Sequence, residues 1–388
     1  MSIERNKKIA IVYDWIDKWG GVERILLMLH EMFPHACFYT SYTDLKKAKW
    51  AKGIKITTSF IQKLPDFVKK NRILSFPFYT YAFETFNFNN YDLVISVSSS
   101  FAKSVVTRPE TVHILYLLTP TRFLWVNSKD YISNFNKLLF SSYINYLKKW
   151  DKITAQRPDY IFSISKEVKQ RCIKYYKRNS NVVYPPFDIS YWEKIKLNLH
   201  DTNYMKDKFN IDLSKKYYLI VSRLESYKKV DLAIKVFNKN IKSNLIIIGK
   251  GSKYREFKRL AGKNIKLIDS VTDKELGVFY SKAHALIMPQ KEDFGYVALE
   301  AQYFNCPVIS YIKGGAKESI VDKKTGIFFE RQEAGCLLDA IERFDRISYN
   351  IRTNMKDFVD KNLARFKRDR FEKEFKTAIE SCLRYKNR

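Results

Sequence analysis

Seven residues separate two glutamates in the stretch Glu292-Asp-Phe294-Gly295-Tyr296-Val-Ala-Leu-Glu300. The preceding run to Pro289 has the apolar character of a buried strand. It predicts a strand, a polar loop and then a helix starting at Gly295, whose free N–H groups suit a phosphate or sugar oxygen. Glu292 in the loop and Glu300 inside the helix could then address different parts of one ligand. The alternative is that Glu292 and Asp293 complement the helix dipole while Glu300 lies on the surface.

Two basic residues follow an earlier predicted strand, in the segment Val221-Ser-Arg223-Leu-Glu-Ser-Tyr-Lys228-Lys229-Val-Asp231. Arg223 ends the strand and Lys228 lies at a helix start. Ligands of open α/β sheets bind at the carboxyl ends of the strands, so these cations are expected to meet an anionic group such as a diphosphate. Simple surface exposure is the alternative, which fits Lys229 better than Arg223.

The elements that must position these residues alternate between strand-like and helical patterns, which is typical of α/β layers with parallel sheets. In the first half, a Gly20-Gly21 turn separates a strand from a helix over Val22 to Met32. The predicted strands are Lys8 to Tyr13, Leu93 to Val97, Val112 to Leu118, Tyr160 to Ile164, Tyr217 to Ser222, Asn244 to Ile248, Ile265 to Ile268, Ala285 to Met288 and Pro307 to Ser310.

A length of 388 residues exceeds what one hydrophobic core usually organises. The stiff segment Tyr184-Pro-Pro-Phe-Asp188 predicts a domain boundary after residue 188. We therefore expect an N-terminal domain over 1–188 and a C-terminal domain over 189–365. A final helix at about 366–388 is expected to pack back on the first domain.

The composition is strongly basic, with 70 Lys and Arg against 41 Asp and Glu, a net charge of +29, and 15% aromatic residues. This charge fits nucleic acid, an anionic membrane surface or a phosphorylated substrate. Scattered cysteines and histidines argue against disulfides and a metal site. The N-terminal apolar stretch is too short for a signal peptide, and no run reaches the roughly 18 apolar residues of a spanning helix, so a cytoplasmic location is expected.

Nearly the whole chain resembles the family 4 retaining glycosyltransferases. The resemblance rests on the two-glutamate stretch, the Arg223 to Lys228 segment, Gly314-Gly315-Ala-Lys-Glu-Ser319, Thr325-Gly-Ile-Phe-Phe329 and the Gly20-Gly21 loop. It implies a GT-B fold, in which two Rossmann-like α/β domains with parallel sheets face each other across a cleft. It also implies a nucleotide-sugar donor, a glycan acceptor and no metal or other cofactor.

The resemblance further implies a role for each candidate residue. Arg223 and Lys228 would hold the donor diphosphate, and Glu292 would bind the sugar hydroxyls; these three form the expected catalytic set. Glu300 would bind the ribose. The remaining expected donor-binding residues are Gly20, Gly21, Phe294, Gly295 and Tyr296.

Three further segments are similar to bacterial O-antigen and capsule mannosyltransferases of this family: Tyr91 to Ser96, His113 to Pro120 with Arg122, and Val183 to Asp188. GDP-mannose is therefore the favoured donor, and a polyprenyl-linked or lipopolysaccharide-type glycan the favoured acceptor. Leu118 stands where these enzymes usually carry a histidine, Ile164 where many have asparagine, and Asn305 where glycine is usual. Because leucine cannot replace an imidazole, a sugar-nucleotide-binding subunit without turnover is an alternative function.

Residues 60–88 interleave aromatic and aliphatic side chains with Lys63, Lys69, Lys70 and Arg72. This composition suits peripheral binding to the anionic inner face of the cytoplasmic membrane. A pair of core helices with solvated lysines is the alternative. Nucleic-acid binding is favoured by charge alone, without a recognisable nucleic-acid-binding motif, and is not the expected role.

Overall fold

The computed structural model describes residues 7–69, 72–126, 137–239 and 243–386, without the side chains of 72–74 and 137–140. The chain forms two compact units, Met1–Pro186 with Asp369–Arg388, and Phe187–Arg368. The units thus divide two residues before the expected boundary at 188.

The N-terminal unit is built on a seven-stranded sheet in the order β3-β2-β1-β4-β5-β6-β7. Every neighbouring pair is parallel. The central strands are fully buried and largely apolar, interrupted by Ser96, Ser98 and His113, as expected of parallel strands covered on both faces. The strands are β1 Ile9–Tyr13, β2 Cys37–Thr40, β3 Ile56–Thr58, β4 Leu93–Ser98, β5 Val112–Leu117, β6 Tyr160–Ser163 and β7 Asn181–Val182.

Helices cover this sheet, and the last helix of the chain returns to it. Phe371 and Phe375 of that helix pack edge-on against Tyr116 of β5. Lys386 near its end pairs with Asp159 at 2.6 Å. The α-helices are Gly21–Met32, Asp66–Lys69, Arg72–Ala82, Arg122–Trp125, Lys137–Thr154, Lys166–Arg171 and Arg368–Lys386; a π-turn spans Cys172–Tyr176, and 3-10 turns span Lys49–Ala51, Phe60–Lys63 and Ala102–Ser104.

The C-terminal unit has a six-stranded parallel sheet in the order β10-β9-β8-β11-β12-β13. Its strands are β8 Tyr217–Val221, β9 Asn244–Ile248, β10 Ile265–Ile268, β11 Ala285–Met288, β12 Val308–Tyr311 and β13 Gly326–Phe329. Its α-helices are Ile189–Leu197, Thr202–Phe209, Val230–Lys239, Tyr254–Leu260, Asp273–Lys282, Tyr296–Tyr303, Ala316–Ser319 and Ala334–Ala364, with a 3-10 turn at Ser226–Lys228.

In both sheets the chain reverses its direction of winding between two central strands. The reversal lies between β1 and β4 in the first unit and between β8 and β11 in the second. Loops leaving neighbouring strands in opposite directions open a crevice at this switch point, where α/β sheets bind ligands. Arg223 follows β8 and Glu292 follows β11, so the predicted site residues lie at the switch point of the second unit.

The predicted α/β class with two parallel sheets is confirmed, and each predicted strand is present within one residue at either end. The sequence did not predict β2, β3, β7 or β13. The first three are short strands with polar or half-exposed residues, and so lack the continuous apolar run that marks the others.

Segment 60–88 combines features of both interpretations. Part of it enters the core of the N-terminal unit, through Ile61, Phe76, Tyr79, Phe83 and Phe88. Other side chains of the segment are exposed, namely Lys63, Phe67, Phe78 and Tyr81. Lys70 and the side chain of Arg72 lie outside the described residues. Across the described part of the chain, every helix is too short or too polar to span a bilayer.

Candidate functional site

The loop that carries Arg223 is shaped by two glycines that follow β9. A Cβ atom on Gly249 would lie 1.9 Å from the Ser222 carbonyl oxygen, and one on Gly251 would lie 2.2 Å from the Leu224 carbonyl oxygen. The Leu224 N–H donates to the Lys250 carbonyl at 2.8 Å. Only glycine permits this approach. This Gly-Lys-Gly segment was not predicted from the sequence, although a Gly-x-Gly pattern directly after a strand can indicate a close backbone approach.

Lys228 and Glu292 form an ion pair across the switch point. Lys228 Nζ lies 2.6 Å from Glu292 Oε1, and the two side chains are 9% and 15% exposed. The same oxygen accepts a hydrogen bond from Gln290 Nε2 at 2.7 Å. The cation predicted for the diphosphate and the carboxylate predicted for the sugar are therefore in direct contact.

Tyr227 connects Arg223 to this pair. Arg223 is exposed and donates to the Tyr227 hydroxyl at 2.6 Å, with its guanidinium 5.9 Å from the ring centroid. Lys228 Nζ lies 5.5 Å from the same centroid. One aromatic ring thus contacts both cations, which keeps two positive charges close together at the end of β8.

The backbone of Glu292 is fixed by Gly314 and Gly315. The Gly315 N–H donates to the Glu292 carbonyl at 2.8 Å. A Cβ atom on Gly314, where φ is +112°, would lie 2.7 Å from that carbonyl oxygen, and one on Gly315 would lie 2.1 Å from the Asp293 carbonyl oxygen. These two glycines therefore allow a close backbone approach to Glu292 and Asp293.

The helix after the loop begins at Tyr296, with Gly295 as its N-cap at a left-handed φ of +92°. Phe294 is buried and contacts the rings of Tyr296 and Phe366 edge-on. Any donor contact at Phe294 would therefore come from its backbone. The surface interpretation of Glu300 is wrong, since this residue is 6% exposed and accepts a hydrogen bond from the buried Tyr280 hydroxyl at 3.0 Å.

At the switch point of the N-terminal unit, Asp14 after β1 is fully buried. Its carboxylate accepts five hydrogen bonds from the end of β4 and the loop after it: two from the Ser98 and Ser99 hydroxyls and three from the N–H groups of Ser99, Phe101 and Ala102. Asp14 was not among the residues predicted from the sequence. Its position directly after the first strand was the available signal.

Gly20 is the N-cap of helix Gly21–Met32 and has extended backbone, with a φ of 176°. A Cβ atom there would lie 3.0 Å from a carboxylate oxygen of Glu23. Glu23 is buried, and burial raises the pKa of its carboxyl group, with Lys18 opposing the shift. Donor binding by Gly20 and Gly21 stays a prediction.

The residues that depart from the family pattern occupy defined places. Leu118 and Ile164 follow the neighbouring strands β5 and β6 and are 4% and 7% exposed. The Ile164 N–H donates to the Leu117 carbonyl at 3.2 Å. Leu118 and Ile164 are therefore neighbours at the carboxyl ends of β5 and β6. Asn305 has a φ of +56°, the left-handed conformation expected there.

Among the described residues, no group of three His, Cys, Asp or Glu side chains is placed to hold a metal ion.

Comparison with known proteins identifies the segment that carries this site. Residues 201–358 match the family model for glycosyl transferases group 1. An uncharacterized 41.2 kDa protein of the Klebsiella pneumoniae cps region is 27% identical over 275 residues, 67% of this chain and 71% of that protein. Human alpha-1,3/1,6-mannosyltransferase ALG2 is 35% identical over 99 residues, 24% of each chain.

The fold has solved counterparts. Anabaena HepE, whose crystal structure contains UDP-glucose, superposes with a TM-score of 0.68 over 96% of this chain and 99% of HepE, at 16% identity. The chain thus has the GT-B fold, and its segment 201–358 is similar to glycosyl transferases group 1.

Proposed function

We propose that this protein is a retaining glycosyltransferase that transfers a hexose from a nucleotide-diphosphate donor to a lipid-linked or surface-polysaccharide acceptor. The observation that carries the proposal is the Lys228–Glu292 ion pair beside Arg223, at the switch point of a group 1 glycosyl transferase domain. Cations suit the diphosphate and a carboxylate suits sugar hydroxyls.

In the proposed reaction, the bond between the anomeric carbon and the diphosphate oxygen breaks, and the diphosphate leaves with the bonding electrons. The acceptor oxygen bonds to the anomeric carbon from the same face, and its proton passes to the leaving diphosphate oxygen. Arg223 and Lys228 stabilise the negative charge that develops on the diphosphate. Glu292 orients the sugar, Glu300 binds the ribose, and the positive N-terminal end of the helix that begins at Tyr296 adds to the anion site.

Two side-chain cations can offset the donor charge without a metal ion, so the proposed reaction is metal-independent. EDTA is then expected to leave the transfer rate unchanged. A rate that falls with EDTA and returns with Mg²⁺ or Mn²⁺ would contradict this part of the proposal.

GDP-mannose is the proposed donor. Similarity to a mannosyltransferase and to a protein of a cps region supports this choice. UDP-sugars are the competing donors, because the structure of HepE contains UDP-glucose. A thermal-shift panel of GDP-, UDP-, ADP- and dTDP-sugars decides between them, since a ligand that binds only the folded protein raises its apparent stability. Stabilisation by GDP-mannose alone supports the proposal; a larger shift with another donor overturns the choice of sugar.

The proposed acceptor is bound at a membrane surface, which the exposed Phe67, Phe78 and Tyr81 would contact. Replacing Lys69, Lys70 and Arg72 by neutral residues should reduce flotation with anionic liposomes, because each basic residue near such a surface contributes about 1 kcal/mol. Unchanged flotation would assign segment 60–88 to the core alone. Tight, steeply salt-dependent binding to generic DNA would instead favour a nucleic-acid partner.

Binding without turnover is the second candidate, and the buried Leu118 at the edge of β5 is the observation that favours it. Leucine cannot donate a hydrogen bond or carry charge. We expect wild-type turnover, because Lys228 contacts Glu292 and Arg223 lies beside this pair through Tyr227, and Leu118→His should change the rate or donor choice modestly. An inactive wild type that Leu118→His makes active would establish the second candidate.

A further inference from the structure

Gln290 is the first polar residue after β11 and is 3% exposed. Its Nε2 donates to Glu292 Oε1 at 2.7 Å, and Lys228 Nζ approaches the same oxygen at 2.6 Å. One carboxylate oxygen therefore receives both a neutral and a charged donor.

The orientation of the Gln290 amide follows from this contact. Rotating the amide by 180° would place its oxygen against the carboxylate of Glu292, which is repulsive. In the present orientation, Gln290 Oε1 is buried and makes no hydrogen bond to any of the described residues. An unsatisfied buried acceptor costs about 1–3 kcal/mol, so the charge-assisted bond to Glu292 must outweigh that cost. The hydrogen bond to Glu292 therefore fixes the orientation of the Gln290 amide.

Glu292 is thus restrained at both ends. Gly315 holds its carbonyl oxygen at 2.8 Å, and Gln290 holds its carboxylate. Lys228 reaches this fixed carboxylate through a long side chain with several rotatable bonds. The position of the ammonium is therefore set by the carboxylate more than by the lysine backbone.

We propose that Gln290 is a positioning residue: by occupying Glu292 Oε1, it fixes the carboxylate that places the Lys228 ammonium for a nucleoside diphosphate. This inference rests on the proposed function. Gln290 acts through Glu292 and does not touch the donor. Because the ammonium has three N–H donors, it can keep one on Glu292 while the others bind phosphate oxygens.

The test is a double-mutant cycle with full-length protein, titrated with GDP and UDP by calorimetry. Gln290→Leu should weaken binding of the preferred nucleotide about tenfold, and Lys228→Met should weaken it more. In the Lys228→Met background, Gln290→Leu should not weaken nucleotide binding further, because the ammonium group that Gln290 positions is absent. Lys229→Met is the matched control, since Lys229 is the exposed neighbouring lysine. Equal losses in both backgrounds, or no loss from Gln290→Leu, would overturn the inference.

A second measurement needs no nucleotide. Acetylation of Lys228 relative to Lys229, followed by mass spectrometry, should be slow in the wild type and rise several-fold in Gln290→Leu, with the unfolding temperature unchanged. An unchanged ratio overturns the positioning role. If the ratio rises but the wild type binds neither nucleotide, the side-chain coupling holds and the proposed function fails.

Discussion

The two switch points differ in how their carboxylates are used. Asp14, which follows β1, is fully buried and accepts five hydrogen bonds from the end of β4 and the loop after it. Glu292, which follows β11, is 15% exposed and pairs with a lysine that is 9% exposed. The same topological place thus holds a carboxylate saturated by backbone and hydroxyl donors in one unit and a carboxylate paired with a lysine in the other.

This difference separates a structural role from a functional one. A carboxylate whose acceptor sites are filled by backbone and hydroxyl donors holds a loop in place and has little capacity left for a ligand. Lys228 and Glu292 are 9% and 15% exposed, so their attraction largely offsets the cost of removing both charges from water and leaves little net stability. Each can still bind a ligand, because the ammonium has three N–H donors and the carboxylate has two acceptor oxygens.

The largest expected effect is on Asp14. Asp14→Ala leaves buried N–H groups of Phe101 and Ala102 without their acceptor, and each such group costs about 1–3 kcal/mol. We expect a loss of roughly 4 kcal/mol in unfolding free energy, measured by chemical denaturation. Ser99→Ala, which removes a single hydroxyl donor, is the matched control and should cost about 1 kcal/mol. Equal losses of unfolding free energy in the two variants would contradict the structural role that distinguishes Asp14 from Glu292.

A smaller effect, on binding rather than stability, is expected at the second switch point. Arg223→Ala should weaken GDP binding by about 2 kcal/mol or more, the scale of a lost charge-assisted hydrogen bond. Its unfolding temperature should barely change, because Arg223 is exposed. Calorimetric titration with GDP measures this, with Lys229→Met as the control. Unchanged GDP affinity in Arg223→Ala would rule out its assignment to the diphosphate.

Sequence patterns predicted nine of the thirteen strands among the described residues and the residues that lie at the second switch point, but not Asp14 at the first. Arg223, Lys228 and Glu292 belong to local segments whose residue types indicate anion and sugar binding. Asp14 has no local signal of that kind, since its donors lie 84 to 88 residues away. Such a partnership arises only when β1 and β4 pair. The Gln290 contact was also missed, because its meaning depends on which amide atom faces Glu292.

Glu23 sharpens the comparison, because it is a second buried acid in the N-terminal unit whose burial is less well compensated. Its described side-chain contact is the Tyr13 hydroxyl at 3.5 Å, and burial raises the pKa of its carboxyl group, against the opposing effect of Lys18. A carboxyl group with a raised folded-state pKa favours the folded state while protonated, and that contribution is lost as the pH rises through the folded-state pKa.

Glu23→Gln, which is neutral at every pH, should therefore gain stability relative to the wild type as the pH rises from below 4.5 to 8. The expected gain is about 1 kcal/mol, the size of a typical single substitution. Denaturant titrations of both proteins across this range measure it, with Glu31→Gln on the exposed side of the same helix as the control. If the difference in unfolding free energy between Glu23→Gln and the wild type does not change with pH, contacts in the folded state fully compensate the burial of the Glu23 carboxylate, as the five hydrogen bonds do for Asp14.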